Sequence, residues 1–118
     1  MVKLLIADDN EDLLELMQLF LEEKGFEVKT VSTKKKLLSE IKQYSPDLIL
    51  LDVFLNGEDG REVCKLLRDN VKTNKVCILI ISANPYAIKE YKSYGADGFI
   101  EKPFELEDLV NKIESALS

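Results

Sequence analysis

The chain has 118 residues, with 22 acidic and 16 basic side chains, so its formal net charge at neutral pH is −6. This length predicts one domain, and the acidic balance argues against a uniformly basic surface for nucleic acid. The complete lack of histidine excludes a Ser-His-Asp or Cys-His catalytic centre, a zinc site with histidine ligands and a histidine phosphocarrier within this chain.

Short apolar runs alternate with amphipathic stretches in the first half of the chain. The predicted strands are residues 2–7, 26–31 and 47–51, and the last of these ends at Asp52. A first helix is predicted from about Asn10 to Lys24, with Leu13, Met17, Phe20 and Leu21 at helical spacing and Gly25 placed to end it. A second helix is predicted after a cap at Ser32 or Thr33, with Leu37, Leu38 and Ile41 on its apolar side.

The second half continues the same alternation. Residues 56–60 have the composition of a turn, and the helix after them carries Val63, Leu66 and Leu67. Residues 76–81 predict a fourth strand that stops at Ser82, and Asn84-Pro85 predicts the start of a short helix reaching about Ser93. Residues 98–100 predict a fifth strand, and the last amphipathic helix carries Leu106, Leu109, Val110, Ile113 and Leu117.

Five successive strand–helix units predict a parallel sheet with helices on both faces, which is an α/β fold. Ligands of such sheets bind beyond the carboxyl ends of the strands. The polar residues found at those ends are Asp8, Asp9, Asp52, Ser82 and Lys102. We therefore expect these five side chains to meet at one edge of the sheet.

Three clustered carboxylates repel one another, and a divalent cation relieves that repulsion. Oxygen ligands without histidine or cysteine favour a hard metal, so we expect Mg²⁺ as the cofactor. Mg²⁺ beside a lysine, a hydroxyl group and a further carboxylate is a set of groups typical of phosphoryl transfer. In that reaction the carboxylate acts as the nucleophile.

The strand-end residues stand in segments that resemble the receiver domain of two-component response regulators. The matching segments are Leu5-Ile6-Ala7-Asp8-Asp9, Leu50-Leu51-Asp52, Asp59-Gly60, Ile80-Ile81-Ser82-Ala83, and residues 95–104. Each segment alone is weak, but five of them in order and at this spacing are highly specific. The resemblance implies one receiver domain over residues 1–118, with a flavodoxin-like (βα)5 three-layer sandwich and a parallel five-stranded sheet in the order 2-1-3-4-5.

The resemblance also implies a role for each matching residue. Asp52 is the implied phosphorylation site. The implied metal ligands are Asp8, Asp9, Asp52 and the backbone carbonyl of Phe54, with Asp8 acting mainly through metal-bound water. Ser82 and Lys102 contact the phosphoryl group, Phe99 is the aromatic that rotates inward on activation, and Lys102-Pro103 is a cis peptide.

Four positions bear on how the implied chemistry is tuned. Phe54 and Asn84 occupy the two positions that tune hydrolysis of the acyl phosphate in the family. Asn56 replaces a proline that the family commonly has four residues after the acceptor. Phe99 lacks the hydroxyl of the commoner tyrosine.

The implied partners are a sensor histidine kinase or a histidine phosphotransfer protein, and a downstream protein that binds the face of helix 4, strand 5 and helix 5. The sequence ends directly after the last predicted helix, so we expect no direct contact with nucleic acid, although a fragment of a longer regulator or hybrid kinase stays open. We expect a monomer or a phosphorylation-dependent dimer. The protein is expected to catalyse only its own phosphorylation and dephosphorylation, and so not to be an enzyme acting on a separate substrate.

The two cysteines, Cys64 and Cys77, form no CxxC pair and are too few for a disulfide scaffold, which favours a reducing, cytoplasmic setting. No apolar run reaches the roughly 18 residues of a membrane span, so we expect no membrane contact.

Two other functions stay open. One is a receiver-like interaction module that does not depend on phosphorylation, against which the acidic residues and Lys102 argue. The other is a small phosphatase of the haloacid-dehalogenase type, suggested by Asp8 and Asn10, although that chemistry needs an aspartate at position 10.

Overall fold

The computed structural model describes all 118 residues, and its strands follow the predicted apolar runs. The strands in chain order are β1 (Lys3–Ala7), β2 (Glu27–Val31), β3 (Leu48–Asp52), β4 (Phe54–Leu55), β5 (Glu58–Asp59), β6 (Cys77–Ser82) and β7 (Gly98–Glu101). Five of them form one parallel sheet in the order β2-β1-β3-β6-β7. Counting only the strands of this sheet, the order is 2-1-3-4-5, which confirms the predicted flavodoxin-like fold.

Helices connect the strands of the sheet, and three of them begin at a capping side chain. They are α1 (Glu11–Glu23), α2 (Lys34–Tyr44), α3 (Arg61–Asp69), α4 (Pro85–Lys89), a 3₁₀ turn (Tyr91–Tyr94) and α5 (Leu106–Leu117). The side chains of Asn10, Thr33 and Asn84 accept hydrogen bonds from backbone N–H groups in the first turns of α1, α2 and α4. None of the helices combines the length with the apolar character that crossing a membrane requires.

The sheet separates two apolar layers, because successive residues of a strand point to opposite faces. In β3, Ile49 and Leu51 face the layer of α2 and α3, while Leu48 and Leu50 face the layer of α1 and α5. All four side chains are completely buried. Continuous apolar strands of this kind are typical of parallel sheets covered on both faces.

The structure corrects the predicted buried faces of two helices. In α1, Leu14 is buried and Leu13 is only half-buried, so the buried stripe is rotated from the predicted one. In α3, Leu66 is 53% exposed, and Cys64 takes a fully buried position instead. Both errors have the same cause, which is that adjacent apolar residues leave the rotational phase of a short helix undetermined by sequence.

Two local features also differ from the prediction. The α-helix after Pro85 ends at Lys89 and continues as the 3₁₀ turn, in which Tyr94 is buried and donates its hydroxyl hydrogen to the Ala87 carbonyl. The predicted turn at residues 56–60 lies in a small antiparallel hairpin of β4 and β5. Asn56 and Gly57 form its tip with φ of 47° and 82°, which is the signature of a type I′ turn.

Candidate functional site

Three polar side chains are buried in this protein, and all three lie at one edge of the sheet. Asp8 is completely buried, Asp52 is 8% exposed and Ser82 is 3% exposed. Asp8 follows β1, Asp52 ends β3 and Ser82 ends β6. The parallel pairing of these strands brings their carboxyl ends together. Because burying a charge without compensation is costly, this concentration at the predicted edge marks a functional site.

Three carboxylates form the centre of the site. Asp8, Asp9 and Asp52 each offer one carboxylate oxygen, and these oxygens lie within 4.8 Å of one another. Asp9 is exposed, unlike the other two. Carboxylate oxygens alone, with no nitrogen or sulfur ligand nearby, form a donor set that suits a hard divalent cation such as Mg²⁺.

Lys102 reaches into the same cluster from the segment after β7. Its Nζ donates hydrogen bonds to Asp8 Oδ2 at 2.9 Å and to Asp52 Oδ2 at 3.0 Å. Burial by itself would lower the pKa of the ammonium, but the hydrogen bonds and charges of the two aspartates outweigh it and raise the pKa of Lys102. The lysine therefore stays charged at neutral pH and offsets part of the carboxylate repulsion.

The electrostatics of Asp52 differ from those of an ordinary surface aspartate. Burial raises its pKa, and the charge of Asp8 adds to that rise. Hydrogen bonds from the Phe54 N–H, at 3.1 Å to Oδ1, and from Lys102 oppose it, but the pKa remains above the ordinary value. Burial at this site therefore disfavours the ionised form of Asp52, and the Phe54 N–H and Lys102 offset part of that cost.

Ser82 and Asn84 border the cluster at the end of β6. The Ser82 hydroxyl oxygen accepts a hydrogen bond from the Asn84 N–H at 2.9 Å, which leaves its own hydrogen free to donate. The Lys102 N–H donates to the Ser82 carbonyl at 2.9 Å, so the two residues are tied together through the backbone. The peptide bond that follows, between Lys102 and Pro103, is cis.

Phe99 and the Phe54 side chain lie apart from the carboxylates. Phe99 is half-buried on β7, where its ring centroid is 5.2 Å from that of Tyr91 and 5.1 Å from Lys112 Nζ. The Phe54 ring is exposed, while the Phe54 backbone N–H donates to Asp52 Oδ1. The structure therefore brings together Asp8, Asp9, Asp52 and Lys102, and hydrogen bonds tie Ser82 to Lys102 and Asn84 to Ser82.

Gly60 supports the site in a way that the sequence prediction did not describe. A Cβ atom at Gly60 would lie 2.4 Å from the Asp52 carbonyl oxygen, far inside van der Waals contact. The Gly60 N–H also donates to the Val53 carbonyl at 2.6 Å. The Asp59-Gly60 pair was visible as a motif, but the close approach to Asp52 depends on how the chain turns back after β3.

Comparisons with known proteins agree with this architecture. A family model described as "Response regulator receiver domain" matches residues 4–114. "Response regulator ArlR" of Staphylococcus saprophyticus is 33% identical over 117 residues, which cover 99% of this chain and 53% of that protein. "Alkaline phosphatase synthesis transcriptional regulatory protein PhoP" of Bacillus subtilis is 33% identical over 115 residues, which cover 98% of this chain and 48% of that protein. The chain thus spans about half the length of the curated relatives it matches.

Solved structures match the fold over nearly the full chain. Chemotaxis response regulator CheY4 of Vibrio cholerae superposes with a TM-score of 0.91 at 28% identity, covering 99% of both chains. A two-component response regulator from Clostridium difficile superposes with a TM-score of 0.90 at 28% identity, covering 99% of this chain and 96% of the other.

Proposed function

This chain belongs to the response regulator receiver domain family, and we propose that it accepts a phosphoryl group on Asp52 from a phosphohistidine. The donor is a sensor histidine kinase or a histidine phosphotransfer protein, because the chain has no histidine of its own. The observation that carries the proposal is the convergence of Asp52, Asp8 and Lys102 at a buried edge of the sheet, at distances of 2.9 and 3.0 Å from the lysine.

The residues that would hold Mg²⁺ are Asp8, Asp9, Asp52 and the backbone carbonyl of Phe54. Their all-oxygen donor set fits this ion, and the 4.8 Å spread of the carboxylate oxygens allows one cation to meet all three aspartates. When bound, Mg²⁺ supplies positive charge that neutralises oxygens of the transferring phosphoryl group.

Side chains of the protein itself carry out the other parts of the phosphoryl transfer. A carboxylate oxygen of Asp52 forms a bond to phosphorus, while the bond from phosphorus to the donor's imidazole nitrogen breaks and its electron pair returns to the imidazole. Lys102 pairs with a phosphoryl oxygen, and the Ser82 hydroxyl donates to another. Phe54 and Asn84, which flank the site, tune access of water to the acyl phosphate.

Phosphorylation then alters a distant surface. The product carries about one more negative charge than the carboxylate at neutral pH, and this charge draws Lys102 and Ser82 toward it. Since Ser82 leads into α4 and Lys102 follows β7, their movement lets Phe99 turn inward and remodels the face of α4, β7 and α5 for a downstream protein.

In this proposal the protein acts in the cytoplasm and catalyses only its own phosphorylation and dephosphorylation. The net charge of −6 disfavours direct contact of this domain with nucleic acid, and the domain is a monomer or a phosphorylation-dependent dimer.

Phosphate incorporation tests the acceptor. With a small acyl phosphate and Mg²⁺, we expect mass spectrometry of the intact protein to show one added phosphoryl group. Asp52→Asn is expected to abolish the added mass, while Asp69→Asn, at an exposed aspartate of α3, leaves it unchanged. Equal incorporation into wild type and Asp52→Asn would reject Asp52 as the acceptor.

Lys102→Ala tests the switch. We expect this variant to fold and to accept phosphate, but to lose the phosphorylation-dependent changes of amide resonances in α4 and β7. Lys65→Ala, on the exposed side of α3, serves as the matched control and keeps those changes. The role of Lys102 in coupling is wrong if its variant shows the same spectral response as wild type.

A further inference from the structure

Asn84 connects Ser82 to the start of α4 through two hydrogen bonds. Its backbone N–H donates to Ser82 Oγ at 2.9 Å. Its side-chain oxygen, Oδ1, accepts a hydrogen bond from the Tyr86 N–H, also at 2.9 Å. One residue therefore contacts both the buried hydroxyl group at the edge of the sheet and the first turn of the helix.

The start of α4 depends on this cap because the helix is short. It has only five residues, Pro85–Lys89, and a helix of that length is marginally stable by itself. Pro85 and Tyr86 are both exposed, and Pro85 has no N–H to donate. The buried residues of the helix, Ala87 and Ile88, come after this first turn begins. The capping side chain therefore fixes where the helix starts relative to β6.

A second connection leaves Ser82 through a different atom. The Ser82 carbonyl accepts a hydrogen bond from the Lys102 N–H at 2.9 Å, and Lys102 directly follows β7. The Ser82 hydroxyl thus leads to α4, whereas the Ser82 carbonyl leads to β7. An effect that passes through Asn84 is expected to reach α4 and to spare β7.

We propose that Asn84 is a positioning residue that couples the Ser82 hydroxyl to the first turn of α4. This inference rests on the proposed function, because it assigns the path by which the phosphorylated site reaches that helix. When the phosphoryl group draws Ser82 toward it, the Asn84 N–H follows Ser82 Oγ. The capping side chain of the same residue then carries the Tyr86 N–H and the start of α4 with it.

Alanine and serine at position 84 separate the two hydrogen bonds. Both residues keep the backbone N–H that faces Ser82 Oγ. Alanine has no side-chain oxygen to cap α4, whereas serine is about as good a cap as asparagine. Asn84→Ala therefore removes the coupling, and Asn84→Ser is the matched variant that restores it.

The first test records NMR spectra of the full chain with Mg²⁺, before and after addition of beryllofluoride. Beryllofluoride on an aspartate is a stable analogue of an acyl phosphate, so differences in hydrolysis do not enter. In Asn84→Ala we expect the shift change of the Ile88 amide to fall below about half of its wild-type size, while that of Ile100, on β7, stays the same. Asn84→Ser is expected to respond as wild type does at both amides.

Three results would overturn the coupling role of Asn84. They are an undiminished response of Ile88 in Asn84→Ala, an equal loss at Ile88 and Ile100 in that variant, and a failure of Asn84→Ser to restore the response of Ile88. If beryllofluoride shifts neither amide in wild type, the proposed function fails together with the inference. A normal wild-type response with an insensitive Asn84→Ala overturns the inference alone.

Amide hydrogen exchange without beryllofluoride tests the connection independently of phosphorylation. We expect the Tyr86 amide to exchange about fivefold faster in Asn84→Ala than in wild type, the typical effect of losing a cap, and within about twofold of wild type in Asn84→Ser. Ser82→Ala, which removes the acceptor of the Asn84 N–H, is expected to speed exchange at Tyr86 by about twofold or more. Unchanged exchange at Tyr86 in Ser82→Ala would show that Ser82 does not hold the cap and would overturn the inference.

Discussion

Folding disfavours the ionised form of Asp52, so we expect the Asp52→Asn variant to be more stable than wild type at pH 7 without Mg²⁺. Because folding raises the pKa of Asp52 above the ordinary value of 3.8, the ionised form of Asp52 lowers the free energy of unfolding. Removing the cost of burying this charge and its repulsion with Asp8, less its attraction to Lys102, raises the free energy of unfolding by on the order of 1 kcal/mol. Urea unfolding of both proteins measures this difference.

The sign of the pH dependence follows from the same shift. The destabilisation by ionised Asp52 is fully present at pH values above the pKa of Asp52 in the folded protein. It disappears as the pH falls below 3.8, the pKa of this group in the unfolded chain. The stability advantage of Asp52→Asn therefore shrinks toward acidic pH. Asp69→Asn, at an exposed residue, is the control, and an Asp52→Asn protein less stable than wild type at pH 7 would contradict the prediction.

Both thiols of the native chain are expected to resist alkylation. Burial raises the pKa of Cys64 and of Cys77 from the ordinary 9.0 to about 11. Since the thiolate is the reactive form, a rise of this size slows reaction at pH 8 by roughly 100-fold. Iodoacetamide labelling followed by mass spectrometry measures the rate, with the urea-unfolded chain as the reference. Native labelling as fast as unfolded labelling would show that these thiols are not shielded.

At the scale of elements, the connection from β3 to α3 decides the shape of the site. We expect Gly60→Ala to destabilise the protein by about 1–3 kcal/mol, the typical cost of forcing atoms into a packed region, because its Cβ would overlap the Asp52 carbonyl at 2.4 Å. The same displacement moves Asp52, so phosphorylation slows as well. Urea unfolding and the rate of phosphate incorporation measure the two effects.

Gly57→Ala separates turn conformation from steric overlap. At Gly57, φ is 82° and an added Cβ meets no atom within 4 Å, so its cost of about 1–2 kcal/mol comes from the backbone alone. We expect its phosphorylation rate to stay near wild type. If the two alanine variants slow phosphorylation equally, the contact between Gly60 and Asp52 does not matter for the site.

At the scale of the whole molecule, one sheet couples the two apolar layers. Leu21 lies in the layer of α1 and α5 and Leu37 in the layer of α2 and α3, and both are fully buried. We expect Leu21→Ala and Leu37→Ala each to lower the free energy of unfolding by about 2–5 kcal/mol. Because every central strand supplies side chains to both layers, circular dichroism should show a single transition in each variant. Two separate transitions in either variant would contradict this coupling.

The amino-acid sequence by itself determined the order and type of the sheet strands, and it placed Asp8, Asp9, Asp52, Ser82 and Lys102 at strand ends. Apolar runs bounded by polar residues are local signals, and parallel pairing brings their ends to one edge whatever the details of the helices. The order of the five strands in the sheet was implied by the resemblance of the strand-end motifs to receiver domains, and the structure and its relatives confirm the order and the family.

Only the tertiary structure decided which side of each short helix is buried. In α1, for example, Leu14 is buried where the sequence predicted Leu13. It also decided that the Asn56-Gly57 turn belongs to a hairpin whose tip reaches Asp9, a contact across 47 positions of the chain. Asn-Gly is a local hairpin signal, but the contact between its tip and Asp9 joins two segments that are far apart in the sequence. Contacts between distant segments depend on packing that no local pattern contains.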